Sequence, residues 1–180
     1  MIDVLSIASE VYPLVKTGGL ADVAGALPQA LKPFGVSMRT LIPGYPSVMG
    51  RLGGAHPIAE LPDFFGGDAR LIAGQTEDLD LIVVEAPHLY DRPGNPYLGP
   101  DGKDWPDNWA RFAGLSFAAY EIGRGIVGGY QPQVLHAHDW QAALAPAYVA
   151  FNAPTRVKTV VTVHNLAFQG RFGWEIFPQL

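Results

Sequence analysis

Short apolar runs rich in β-branched residues alternate with stretches of helical spacing, and that alternation constrains the fold more than any other feature of the chain. IDVLSIA (2–8) reads as a buried strand. Leu20, Val23, Ala24, Leu27, Leu31 and Phe34 then fall at helical spacing, with Gly35 as a stop signal and Pro28 predicting a kink or break. SMRTLIP (37–43) reads as a second strand, and the turn-rich 43–57 as loop. ARLIAG (69–74) and LDLIVVEA (79–86) read as strands joined by the polar turn QTED. Residues 86–107 hold five prolines and three glycines in 22 positions, which predicts a long loop, either functional or disordered. A helix over 108–127, a strand over 133–139, a short helix over 140–152 and a strand over 157–165 complete the pattern. It predicts an α/β domain with a mostly parallel sheet and helices on both faces. Ligands of such sheets bind at the carboxyl ends of the strands. Lys16, the His136–Asp139 cluster, and His164 with Asn165 all fall at such ends.

The rest of the composition narrows the function. At 180 residues, 48% hydrophobic and 16% charged, the chain can bury a sizeable core. Its formal net charge is −5 and it has no run of Lys or Arg, which argues against nucleic-acid binding but leaves room for a small anion. It has no cysteine, so disulfides, thiolate nucleophiles and cysteine-based zinc sites are excluded. The N-terminus lacks a basic segment before its apolar run, which Asp3 interrupts, so no secretory signal is expected. No apolar run approaches the roughly 18 residues of a membrane helix. The expectation is a cytoplasmic protein with no membrane partner.

In VKTGGLADVAG, Lys16 precedes Gly18 and Gly19 at the start of a helix. Glycine lets a ligand approach the backbone, and a helix N-terminus offers free N–H groups and partial positive charge. Lys16 adds a full charge, so a phosphate or pyrophosphate fits. The pattern is neither a Walker A loop, where the lysine follows the glycines, nor GxGxxG. The competing reading is a plain turn beside a solvated lysine.

HAHD puts His136, His138 and Asp139 together, with His164 a strand later. These side chains could hold zinc or another divalent ion. Helix capping by Asp139, a core histidine, or a polar ligand-contacting rim compete with that reading. His164 ends an apolar strand and opens a loop, where a catalytic or sugar-binding group would sit. Glu10 faces either the same cleft or solvent. Tyr97, Trp105 and Trp109 lie in or beside the long loop; their rings either stack on sugar faces or serve plain packing.

SEVYPLVKTGGLADVAGALP, LYDRPGNPY, DNWARF, HAHDWQAALAPAY and TVHNLAFQG occur in that order. Together they resemble the N-terminal half of bacterial glycogen synthases and plant starch synthases, over essentially all 180 residues. The resemblance implies the N-terminal domain of a two-domain GT-B glucosyltransferase, Rossmann-like, with the active site between domains. It implies retaining transfer of glucose from ADP-glucose to the non-reducing 4-hydroxyl of an α-1,4-glucan, without a metal or other cofactor. Carried over residue by residue, Lys16 contacts the donor phosphates, Gly18 and Gly19 lie beside it, and Asp22 lies near the sugars. Tyr97 lines the sugar site, Asp139 is the acid after the middle strand, and His164 sits at the donor glucose with Asn165 as its neighbour. Lys16, Asp139 and His164 are thus the catalytic candidates. Gln141 stands where the family often has histidine. Residues 1–180 are expected to be an incomplete N-terminal catalytic domain, inactive alone, with the C-terminal nucleotide-binding domain absent. Two other classes compete: a non-catalytic glycan- or nucleotide-binding module, and a metal-dependent hydrolase using His136, His138 and Asp139.

Overall fold

A computed structural model describes residues 1–76 and 78–180. Seven strands form one sheet: β1 (Ile2–Ile7), β2 (Val36–Pro43), β3 (Gly53–Leu61), β4 (Ala69–Gln75), β5 (Asp80–Glu85), β6 (Val134–His138) and β7 (Lys158–Thr162). The helices are α1 (Gly19–Leu31), α2 (Pro46–Met49), α3 (Pro87–Tyr90), α4 (Asn108–Gly123) and α5 (Leu144–Phe151). The spatial order is β3-β4-β5-β2-β1-β6-β7. Five strands, from β5 to β7 in that order, are parallel, and β3 and β4 add an antiparallel edge.

β1 is the hinge of the topology. The chain steps from β1 through α1 to β2 on one side, and later from β6 through α5 to β7 on the other. Right-handed crossovers in opposite directions place α1 and α5 on opposite faces. The sheet order reverses between β1 and β6, which makes their carboxyl ends the natural binding crevice. The core runs along these strands: Leu5, Ile7, Leu41, Ile82 and Leu135 are fully buried. Each such side chain contributes roughly 1.5–3 kcal/mol on burial. α4 is almost wholly enclosed, with 14 of its 16 residues buried, because it packs against the sheet on one side and α5 on another.

Several details differ from the sequence pattern. The 43–57 segment is not all loop, since α2 and the start of β3 lie in it. β3 is exposed along most of its length and is held by pairing with β4, not by its own hydrophobicity. α1 runs through Pro28 without a break and ends in a 3₁₀ turn over Lys32–Phe34, where Gly35, at φ +77°, stops it. The helix expected over 140–152 begins only at Leu144, because Asp139 is left-handed at φ +56° and residues 140–143 form turns. The strand expected over 157–165 is confined to Lys158–Thr162. The QTED turn includes Glu77, which lies outside the described residues. Residues 86–107 are largely irregular apart from α3 and one bridge between Leu98 and Asp104. Among the described residues, no helix is long and apolar enough to cross a membrane.

Candidate functional site

The β1 exit is built around Glu10. This residue is 2% exposed, which settles its orientation in favour of the cleft. Thr17 Oγ1 donates to Glu10 Oε1 at 2.7 Å, and the Thr17 N–H donates to the same carboxylate. Gly18 N donates to Glu10 Oε2 at 3.3 Å, and the Tyr97 hydroxyl donates to Oε1. Ser9 Oγ lies 2.8 Å from the Tyr97 oxygen. Burial first, then the Glu10 carboxylate, pushes the Tyr97 pKa up, so the phenol stays neutral and donates. Glu10 thereby joins the loop after β1 to the long loop after α3.

This network changes the expected anion cradle. Gly18 N is already used by Glu10, yet the α1 N-terminus has no side-chain cap, and its leading N–H groups lack intrahelical partners. Neither Gly18 nor Gly19 is in the left-handed region. A Cβ built on either glycine would meet nothing within 4 Å. The fold therefore does not require glycine here; what glycine leaves is open backbone at the rim of the cleft.

Lys16 and Asp22 are arranged differently from the expectation. Lys16 Nζ lies 2.6 Å from Asp22 Oδ1, with both side chains about half exposed. They pair with each other beside the cleft and do not line it. In this state the lysine charge is compensated, and an incoming anion would compete with Asp22 for it.

The histidines form a packed row on the other side of the crevice. His138 is fully buried. Its Nε2 lies 3.1 Å from Ser6 Oγ and its Nδ1 lies 2.9 Å from His164 Nε2. The His136 ring is 4.2 Å from His138, centroid to centroid, and its Nε2 bonds to Thr162 Oγ1 at 2.7 Å. Burial first, then the His136 and His164 imidazoles, lowers the His138 pKa to about 3. Burial, then His164, lowers that of His136. Both His138 nitrogens are thus engaged with neighbouring side chains. Among the described residues, no group of three or more His, Asp or Glu side chains is placed to hold a metal ion. The metal-hydrolase alternative finds no support in this arrangement.

Asp139 does not cap a helix. Its Oδ1 accepts the backbone N–H groups of His164 at 2.6 Å and Asn165 at 3.4 Å. The left-handed backbone of Asp139 turns the carboxylate toward the β7 exit, where it fixes the loop that carries His164.

Between these two walls lies a cleft of about 730 Å³, the predicted crevice at the β1/β6 reversal. Gly18, Gly19, Tyr97, Asp139, His164 and Asn165 all line it. Trp140 and Phe168 add apolar surface, and Gln141, 7% exposed, takes part with a side-chain oxygen that has no partner among the described residues. Trp105 and Trp109 are not in its lining. Trp105 lies under the Arg92 guanidinium at 5.0 Å, and Trp109 faces a neighbouring apolar pocket. A larger groove of about 1100 Å³ runs between residues 60–66 and α5, but its lining is mainly apolar and includes none of the residues at the carboxyl ends of β1, β6 and β7. Ser6 and Ser9 carry no motif signal that marks them as site residues, and HAHD marks His138 without saying whether it binds a ligand or supports a neighbour. The Ser6–His138 contact follows only once β1 and β6 are known to be neighbours, and that of Ser9 only once the long loop brings Tyr97 to the β1 exit.

Residues 3–180 match the family model described as the starch synthase catalytic domain. A glycogen synthase of Rhodopseudomonas palustris is 58% identical over 176 residues, 98% of this chain and 36% of that protein. Glycogen synthase 2 of Bradyrhizobium diazoefficiens is 60% identical over 173 residues, 96% of this chain and 36% of that protein. Among solved structures, the catalytic domain of starch synthase IV from Arabidopsis thaliana, bound to ADP and acarbose, superposes with a TM-score of 0.77 at 28% identity. That match covers 94% of this chain and 35% of the plant chain. The chain spans about 36% of the length of these curated relatives.

Proposed function

The chain belongs to the starch synthase catalytic-domain family, and from that premise we propose that it supplies one wall of the active site of a retaining glucosyltransferase. The donor is ADP-glucose and the acceptor is the non-reducing 4-hydroxyl of an α-1,4-glucan. Residues 1–180 belong to the N-terminal domain of a two-domain enzyme, and a second domain holds most of the nucleotide. The setting is cytoplasmic. One observation carries the reading: an uncapped helix N-terminus with open glycines shares a cleft with His164 and Asn165, at the reversal point of the sheet. The ADP and acarbose bound to the plant relative are a nucleotide and a sugar ligand of the same general kind.

The chemistry follows from charge. As the bond from glucose to ADP breaks, negative charge grows on the pyrophosphate and positive charge on the anomeric carbon. The N–H groups at the α1 N-terminus, together with Lys16 once it exchanges Asp22 for phosphate, stabilise the leaving group more in the transition state than in the ground state. His164 orients the glucose, and its backbone carbonyl offsets the positive charge. Asp139 acts by holding the His164 backbone, and no nucleophile role is assigned to it.

The test is a chimera in which this chain replaces the matching 36% of the Rhodopseudomonas palustris glycogen synthase. It should transfer labelled glucose from ADP-glucose to glycogen, and His164→Ala should lower kcat by about 10²-fold or more. A folded chimera that binds maltoheptaose but transfers no glucose would overturn the reading in favour of a binding module.

A further inference from the structure

The Ser6–His138–His164 row has a direction. His138 is neutral and fully buried, so one ring nitrogen carries a proton and the other accepts one. Its tautomer therefore dictates that of His164, since His138 Nδ1 and His164 Nε2 share one hydrogen at 2.9 Å. Ser6 decides between the two arrangements. The serine is fully buried, and His138 Nε2, at 3.1 Å, is its side-chain partner among the described residues. If His138 carried its proton on Nε2, the serine hydroxyl hydrogen would be buried without an acceptor, which is costly. If the serine donates instead, every hydrogen in the row is placed. Ser6 O–H donates to His138 Nε2, and His138 Nδ1–H donates to His164 Nε2. His164 then holds its own proton on Nδ1. That nitrogen has no partner among the described residues and is not among their buried unpaired atoms, and its residue lines the cleft.

We propose that Ser6 and His138 are positioning residues that lock His164 in its Nδ1–H tautomer, so that this imidazole meets the substrate as a hydrogen-bond donor. The bond between rings also fixes the ring plane, which lies within 24° of the His138 plane with the centroids 5.2 Å apart, edge to edge. His136 packs against His138 with centroids 4.2 Å apart and is held there by Thr162. A locked donor suits a sugar hydroxyl or a phosphate oxygen. The same nitrogen cannot act as a general base, because its lone pair is not available in this tautomer. The consequence for catalysis rests on the glucosyltransferase reading, whereas the tautomer itself does not.

The experiment is long-range ¹H–¹⁵N correlation of the histidine rings in the 180-residue protein at pH 8, without ligand, for the wild type and for Ser6→Ala and His138→Asn. The wild type should show His164 protonated on Nδ1 and bare on Nε2. Ser6→Ala removes the donor to His138 Nε2 and should give His164 signals averaged between the two tautomers. His138→Asn keeps an N–H at the Nδ1 position and should restore the Nδ1–H form. Wild-type His164 protonated on Nε2 overturns the proposal, and that spectrum suffices if a variant fails to fold. A pure Nδ1–H form persisting in folded Ser6→Ala overturns it as well. No substrate is present, so failure here leaves the glucosyltransferase reading standing, and an inactive chimera leaves this result standing.

Discussion

Acid should destabilise this protein through His138. Its imidazole has a pKa near 6.5 in an unfolded chain, whereas in the fold burial, then His136 and His164, hold it at about 3. Between those values the unfolded chain binds a proton that the folded chain refuses, so stability falls as pH falls. The stabilisation is complete above about pH 6.5 and is lost progressively toward pH 3. The limiting slope from this one group is about 1.4 kcal/mol per pH unit. Integrated from pH 7.5 to 4.5, the loss is roughly 2.5 kcal/mol, a large part of a typical stability of about 5–15 kcal/mol. The assay is urea unfolding, followed by the fluorescence of the four tryptophans, at pH 7.5, 5.5 and 4.5. His138→Gln serves as the reference, because carboxylate contributions to the pH dependence largely cancel in the difference. At pH 7.5 the variant should be the less stable, having lost the bonds to Ser6 and His164. By pH 4.5 the gap should have narrowed by roughly 2.5 kcal/mol. Parallel stability curves would refute the reasoning, since they would mean that the buried ring titrates as it does in the unfolded chain.

Two further outcomes test the opposite wall of the cleft. Glu10→Gln removes a charge that accepts hydrogens from Thr17, Gly18 and Tyr97, so urea unfolding should show a loss of about 2 kcal/mol, and a loss below about 0.5 kcal/mol would deny the carboxylate its organising role. Gly18→Ala and Gly19→Ala place a methyl in open space, so stability should stay within about 0.5 kcal/mol while the chimera's affinity for ADP-glucose, measured by calorimetry, falls about tenfold; unchanged affinity would make these glycines a mere turn.

The parallel half of the sheet was legible because its strands carry their own signal. β1, β2 and β5 are apolar because both faces are covered, and such strands stand out in a sequence. β3 was not legible for the converse reason. Its residues GGAHPIAEL are mostly exposed, and its pairing with β4 is interrupted by two register shifts. Nothing in its composition asks for a strand; the edge of β4 does. Pro28 misled in the other direction. A proline costs a helix one hydrogen bond and some crowding, but α1 packs Leu20, Ala21 and Ala24 into the fold, and the helix persists to Leu31.

The site divides along the same line. Gly18, Gly19, Asp139, His164 and Asn165 could be placed because strand ends are where such sheets bind ligands, and Tyr97 because it belongs to the long loop and to the family motif; all six line one cleft. Lys16 and Asp22 show the limit of that logic: sequence position brings them to the rim, but two half-exposed opposite charges six residues apart satisfy each other first. Glu10 and His138 could not be resolved at all from their neighbours in the chain. Glu10 owes one of its partners to a loop 87 residues away, and His138 owes one to a strand 132 residues away. What makes the second contact inevitable is topology. β6 lies beside β1 with Ser6 in register with His136, and residues two apart on a strand share a face. Once the sheet reverses at that seam, His138 comes within reach of the serine, and β7, paired to β6 through His138 and Thr162, brings His164 to the other side of the same ring. The row of imidazoles is therefore a property of strand order, which no single segment of the sequence encodes.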